Sequence, residues 1–256
     1  MCSVIILRRP GHAWPVLIAA NRDERPSRAW RPPARHWPER PEVTAGLDEE
    51  AGGTWQGVND HGVTAAILNR VGTLGPAAGK RSRGEIVLEA LDHADAREAA
   101  AALSDLNPDA YRPFNLLIAD NRDAFWLRHA GDGRIGATRV GEGVSMLTAH
   151  DLNDTASPRV RRYLPLFRQA DMPDPDAGDW SAWAALLGAT DTDSGNATDA
   201  MFIRTDRDYG TICTSLIALP EPGDRRPIWR FTDDMPTSAP FRAVDLPPAR
   251  ADIADL

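Results

Sequence analysis

Cysteine and lysine are almost missing from this chain. Its 256 residues hold two cysteines, Cys2 and Cys213, and a single lysine, Lys80. Two cysteines cannot build a disulfide framework or a cysteine-based zinc site, and no metal site is expected. Long hydrophobic runs are missing too. Nothing approaches the roughly 20 residues that span a bilayer. The first apolar stretch is too short for a signal peptide and lacks a cleavage-site pattern, so a cytoplasmic location is expected. Positive charge is in deficit, with a formal net charge of −8 and a pI near 5.3. That balance argues against nucleic acid as a partner. Oligomeric state leaves no mark in the sequence.

What is present reads as an ordinary folded chain, with 42% hydrophobic and 26% charged residues. No internal repeat or domain boundary is visible, so residues 1–256 are expected to form one domain. Apolar runs at Ser3–Leu7 and Val16–Ala20 read as strands joined through Pro10-Gly11-His12. Thr54–Asn59 and Val63–Leu68 form a hairpin pattern around Asp60-His61-Gly62, and Phe114–Ala119 with Ala124–Arg128 form another. Val144–Thr148, Ala200–Arg204, Tyr209–Leu219 and Ile228–Phe231 complete the strand candidates. Helical spacing predicts helices over Arg83–His93, Ala96–Ser104, Pro158–Ala170 and Trp180–Leu187. Residues 25–43, crowded with Pro, Arg and Trp, are expected to form an irregular loop. Antiparallel strand pairs with helices clustered between them predict an α+β fold of two antiparallel sheets.

Cys2 is the most informative residue. A small residue after Met1 allows that methionine to be trimmed, which would leave a thiol and a free α-amine on one residue. Such an amine has a reference pKa of about 7.7–8.0, so part of it is unprotonated at neutral pH. A small second residue alone is more simply a trimming signal. The cluster Asn21-Arg22-Asp23-Glu24 at the end of the second strand adds to it. Those charges can be a solvated hairpin end, or they can place a carboxylate beside the thiol and amine of Cys2. Beside Arg22 and a protonated amine, the Cys2 thiol is expected to have a lowered pKa, and Cys213, in an apolar strand, to be an inert core residue.

Met1-Cys2 together with Ala20-Asn21-Arg22-Asp23-Glu24 resembles the NRDE family, also called the transport and Golgi organisation family. Similar blocks occur at Ala45–Asp48, Ala51–Asn59, Gly62–Arg70, Leu147–Thr148, Pro158–Val160 and Tyr209–Thr211. The resemblance implies an N-terminal-nucleophile hydrolase-like αββα sandwich. It also implies roles by position. Cys2 would be the nucleophile, Asp23 the carboxylate holding the amine, and Asn69 the oxyanion donor, as in bile-salt hydrolase-like N-terminal-cysteine enzymes. Without the resemblance, Asn69 reads as strand-end capping.

Three positions depart from those enzymes. Ala20 stands where they carry an Arg, with Arg22 two residues along on the same strand face as its substitute. The family's Leu-Ser-Asn is here Leu147-Thr148-Ala149, leaving His150 or Asn153 to fill the gap, and Ile212 follows Gly210-Thr211 where many relatives carry Arg. Asn21, Glu24, Trp55 and His150 are the remaining binding candidates, with Trp30 and Trp37 as further walls of a flat apolar pocket. The expected chemistry is cysteine-dependent hydrolysis of a small non-peptide amide, requiring no cofactor. The alternative implied by the resemblance is a non-catalytic haem-trafficking protein using the same cleft, with His150, His12 and Cys2 as candidate ligands. No Cys-x-x-Cys-His motif supports haem from the residues themselves.

Overall fold

Strands that are apolar on both faces need a partner layer on each side, and helices with one apolar stripe supply the outer layers. The computed structural model describes residues 2–246 apart from Asp224. In chain order come β1 (Ser3–Arg8), β2 (Val16–Glu24), β3 (Trp30–Ala34), β4 (Val43–Asp48), β5 (Gln56–Asn59) and β6 (Thr64–Asn69). Helices α1 (Arg83–Leu91) and α2 (Ala96–Ser104) follow, then β7 (Phe114–Ala119), β8 (Ala124–His129), β9 (Ile135–Arg139) and β10 (Gly143–Leu147). Helices α3 (Pro158–Gln169) and α4 (Ser181–Leu187) precede β11 (Gly210–Leu219), β12 (Ile228–Thr232) and β13 (Arg242–Ala243).

Two antiparallel sheets result, in the orders β10-β1-β2-β11-β12-β13 and β3-β4-β5-β6-β7-β8-β9. Side-chain alternation sorts β1 cleanly. Ile5 and Leu7 meet Tyr163, Phe167 and Trp183 of α3 and α4, while Val4 and Ile6 face the second sheet with Ile18, Val58 and Leu68. Ile86, Val87 and Leu91 of α1 cover the far side of that sheet against Ala65, Leu116 and Ile118. The layering is therefore αββα, as expected. Among the described residues no helix is long and apolar enough to cross a membrane.

Local structure departs from the sequence expectations at four places. Trp30–Ala34 is a strand despite Pro32 and Pro33. It lies at a sheet edge, where a missing N–H costs least, and its register shifts across the two prolines. Val43–Asp48 and Ile135–Arg139 are also strands, the second with only Ile135 buried, so its sequence carries little apolar alternation. Ala200–Arg204 forms no strand. Met201, Phe202 and Ile203 are buried, but their backbone groups are met irregularly: Phe202 N–H donates to Ala189 O and Ile203 N–H to Thr211 Oγ1.

Candidate active site

The site is built where β1 begins and β2 ends, because antiparallel pairing puts the first residues of one beside the last residues of the other. Ser3 pairs with Asn21, which brings Cys2 against the Arg22-Asp23 end of β2. The Asp23 backbone N–H donates to Cys2 Sγ at 3.4 Å, and the thiol lies 3.7 Å from Asp23 O. Cys2 is half-buried. Alternation then splits the cluster between the two faces of the sheet. Cys2 and Arg22 fall in phase with Val4 and Ile18, toward the second sheet, and Asp23 falls in phase with Leu17, toward the helices.

On the helix side, every contact is made. Arg159 Nη1 donates to Asp23 Oδ2 at 2.9 Å, and Thr211 Oγ1 donates to Oδ1 at 2.6 Å. Arg159 also donates to Ser3 Oγ at 2.6 Å and to Thr198 O at 2.9 Å. Both side chains are essentially buried, at 4% and 0% exposure. The first turn of α3 fixes Arg159, since Ser157 caps the helix through Val160 N–H and Pro158 occupies its first position.

On the sheet side, the cluster opens into a crevice of about 290 Å³ including its mouth, lined by Cys2, Ala20, Arg22, Trp55, Gln56 and Leu68 among others. The Arg22 guanidinium lies 3.9 Å from the Trp55 ring centroid and 5.8 Å from that of Trp30. Trp30 meets Trp55 edge-on at 5.7 Å. Gly46 is required here, because a β-carbon at that position would overlap the Trp55 ring.

Burial pushes the Cys2 thiol pKa up, and the Asp23 carboxylate adds to the rise; Arg22 and the hydrogen bond from Asp23 oppose it without reversing it. This corrects the expectation of a lowered pKa. A half-covered thiol between two sheets loses more hydration than one arginine restores. Cys213 is fully enclosed in the inter-sheet core and is also pushed up by burial. Tyr209 is pushed up by burial, with the Cys2 and Asp23 charges adding to it, so its hydroxyl belongs to the same electrostatic neighbourhood.

The structure brings Cys2, Arg22, Asp23 and Trp55 together and separates the other candidates. Asn21 is spent inside the protein: its Nδ2 donates to Leu187 O and Met201 O, and its Oδ1 accepts from Thr214 Oγ1. It tethers β2 to the helix layer rather than offering itself to a ligand. Glu24 lies at the end of β2 with Oε1 accepting from the Arg25 N–H. Asn69 ends β6 next to the crevice-lining Leu68, in phase with Ala65 and Ile67, whose side chains meet the helix-side core. Its backbone pairs with Phe114 of β7 at the end of the strand.

His150 does not line the crevice. Its backbone carbonyl is held by Asn115 Nδ2 at 2.7 Å, and its ring lies 3.9 Å from Asp154. Asn153, the other candidate there, caps β10 through the Met146 N–H. Trp37 belongs to the helix-side core and donates to Gly52 O, whereas Trp30 of the same segment packs against the inter-sheet core. Arg159, Thr211, Tyr209 and Gln56 all fall within the blocks similar to the family, but nothing in the sequence around them marks a role. A lone arginine at a helix start carries no signal of the carboxylate it will meet.

His12 sits in the β1–β2 turn at the far end of the hairpin from Cys2, His150 is elsewhere, and the described residues hold no metal-binding cluster.

Two sheets between helix layers, with the chain's second residue at the crevice, define the fold of the N-terminal-nucleophile hydrolases. A Caenorhabditis elegans ortholog of N-acylethanolamine-hydrolyzing acid amidase superposes with a TM-score of 0.58 at 11% identity, covering 86% of this chain and 94% of that one. The conjugated bile acid hydrolase of Clostridium perfringens, in a mutant form, gives a TM-score of 0.53 at 13% identity, covering 97% and 98%. At such identities the likeness is one of fold. The chain belongs to the Transport and Golgi organisation 2 family, whose profile matches residues 1–227. The Transport and Golgi organization protein 2 homologs of Bos taurus and Homo sapiens are each 36% identical to it over 119 and 118 residues. That match spans 43% of this chain and about 40% of the length of those relatives.

Proposed function

We propose that this protein is a cysteine N-terminal-nucleophile amidohydrolase that cleaves the C–N bond of a small non-peptide amide. The observation that carries the reading is Cys2 at the mouth of the crevice, hydrogen-bonded to the backbone of Asp23, whose carboxylate is itself locked by Arg159 and Thr211. Removal of Met1, which lies outside the described residues, would put a free amine on the nucleophile's own residue. In the reaction, Cys2 Sγ would attack the amide carbonyl carbon while the α-amine takes the thiol proton. The C–N bond then breaks, the leaving amine receives that proton, and a thioester remains on Cys2. Water hydrolyses the thioester to the free acid and restores the thiol. Asp23 would hold the protonated amine in place.

A raised thiol pKa suits this scheme, because a neutral thiol needs a base that acts during attack. The structural neighbours, an acid amidase ortholog and a conjugated bile acid hydrolase, support the class of chemistry, and no observation of the crevice favours the haem-trafficking alternative. The test is turnover of a panel of short-chain amides. Cys2→Ala should abolish turnover while leaving substrate affinity nearly unchanged, since the nucleophile supplies chemistry rather than binding. Wild-type turnover that survives in Cys2→Ala would overturn the reading.

A further inference from the structure

The crevice holds two buried hydrogen-bond donors that have nothing to bond. Arg22 Nη1 and Gln56 Nε2 both make no hydrogen bond, and their residues are only 6% and 2% exposed. Both residues line the crevice that Cys2 also lines. Gln56 belongs there by alternation, since it falls in phase with Val58, which faces the first sheet. As assigned, both are donors, and no hydrogen bond joins them. A ligand oxygen in the crevice they both line is the kind of acceptor both lack.

Charge narrows the choice of acceptor. Among the described residues, Arg22 has no carboxylate partner; its guanidinium lies over the faces of Trp55 and Trp30. Arg22 Nη1 is buried without a partner in a crevice whose lining includes the apolar Val4, Ala20, Ala66 and Leu68, and a buried charged donor left unpaired is costly until an acceptor reaches it.

We infer that Arg22 and Gln56 form an anion-binding pair that takes one negatively charged oxygen of the ligand in the Cys2 crevice. That oxygen has two possible sources, a carboxylate carried by the substrate or the oxyanion formed when Cys2 attacks. The second source rests on the hydrolase reading, whereas the first does not. If the oxyanion is the source, the pair supplies donors to it beside Cys2.

The experiment separates these sources. Butyrate and neutral butyramide are titrated into the Cys2→Ala protein by NMR, alone and with Arg22→Met or Gln56→Leu added. In parallel, acylation of Cys2 by p-nitrophenyl butyrate is followed by mass in the protein bearing the native cysteine, with and without Gln56→Leu. A carboxylate source predicts at least tenfold preference for butyrate over butyramide, lost in Arg22→Met and reduced in Gln56→Leu. An oxyanion source predicts a loss of about 10²-fold in the acylation rate with Gln56→Leu, without butyrate preference. Retained preference in a protein that is never acylated supports the pair and overturns the hydrolase reading alone. Equal binding of both probes together with undiminished acylation in Gln56→Leu overturns the pair. Arg22→Lys, which keeps the charge, guards against a folding failure in Arg22→Met: butyrate preference absent there as well counts against the carboxylate source.

Discussion

Asp23 and Arg22 are neighbours on one strand, yet they face opposite layers and live under opposite conditions. Asp23, on the helix side, has a buried guanidinium and a hydroxyl on its two oxygens. Arg22, on the sheet side, has aromatic faces and an empty donor. A satisfied charge in a folded interior is structural until shown otherwise, whereas an unsatisfied one marks where the molecule is incomplete without a ligand. One residue step along a strand therefore separates the scaffold of the site from its working surface. Cys2 meets both, with its Sγ against the Asp23 backbone and on the face that lines the crevice with Arg22.

The comparison breaks most visibly in stability. Replacing Arg159 by Ala leaves the Asp23 carboxylate buried without its cation and should cost about 3–5 kcal/mol in urea unfolding. Arg22→Met removes a charge that has no ionic partner, so its stability should stay within about 1 kcal/mol of wild type or rise. Equal losses from the two arginines would show that both are structural.

A smaller effect is expected at Trp55. Trp55→Leu removes the ring under the Arg22 guanidinium, a contact of the kind worth about 0.5–2 kcal/mol, while keeping an apolar wall. Together with Arg22→Met it should be less than additive, because the second change finds the stacking already gone. Full additivity in a double-mutant cycle would remove stacking from the account.

The Cys2 thiol reports on both sides at once. Its pKa is raised, so iodoacetamide labelling should climb only as pH passes above the ordinary thiol range near about 8.5. Arg22 lowers that pKa, so Arg22→Met should move the labelling profile to higher pH. Asp23 raises it, so Asp23→Asn should move the profile to lower pH. Shifts in the same direction would contradict the placement of the two charges. Cys213 should label only on unfolding, being 2% exposed. His150→Ala, outside the crevice, should change stability by less than about 0.5 kcal/mol and leave acylation unaltered.

The layering was legible because it rests on repeated local signals: continuous apolar runs in β1, β2, β6 and β7 and apolar stripes in the helices that begin at Arg83 and Pro158. The Cys2–Asp23 neighbourhood was also within reach, since a short hairpin fixes which residues pair. What escaped depends on long-range meetings. Arg159 finds Asp23 across 136 positions of chain, and Thr211 finds it across 188, so no window of sequence contains either pair. Asn21 misled for the same reason, because a polar residue beside charged neighbours looks like a site until Leu187 and Met201 arrive to occupy it. Gln56 escaped because a glutamine in a hairpin reads as surface, and only the packing of the two sheets encloses it.

The central claim is that Cys2 is a nucleophile whose own amine is its base. Intact-protein mass followed by peptide mapping, on untagged protein treated with p-nitrophenyl butyrate, tests it most directly. The account predicts a chain that has lost Met1 and carries one butyryl group on Cys2, released slowly by water and absent from Cys2→Ala. A chain that keeps Met1 in full, or one that gains no acyl group on Cys2, contradicts it.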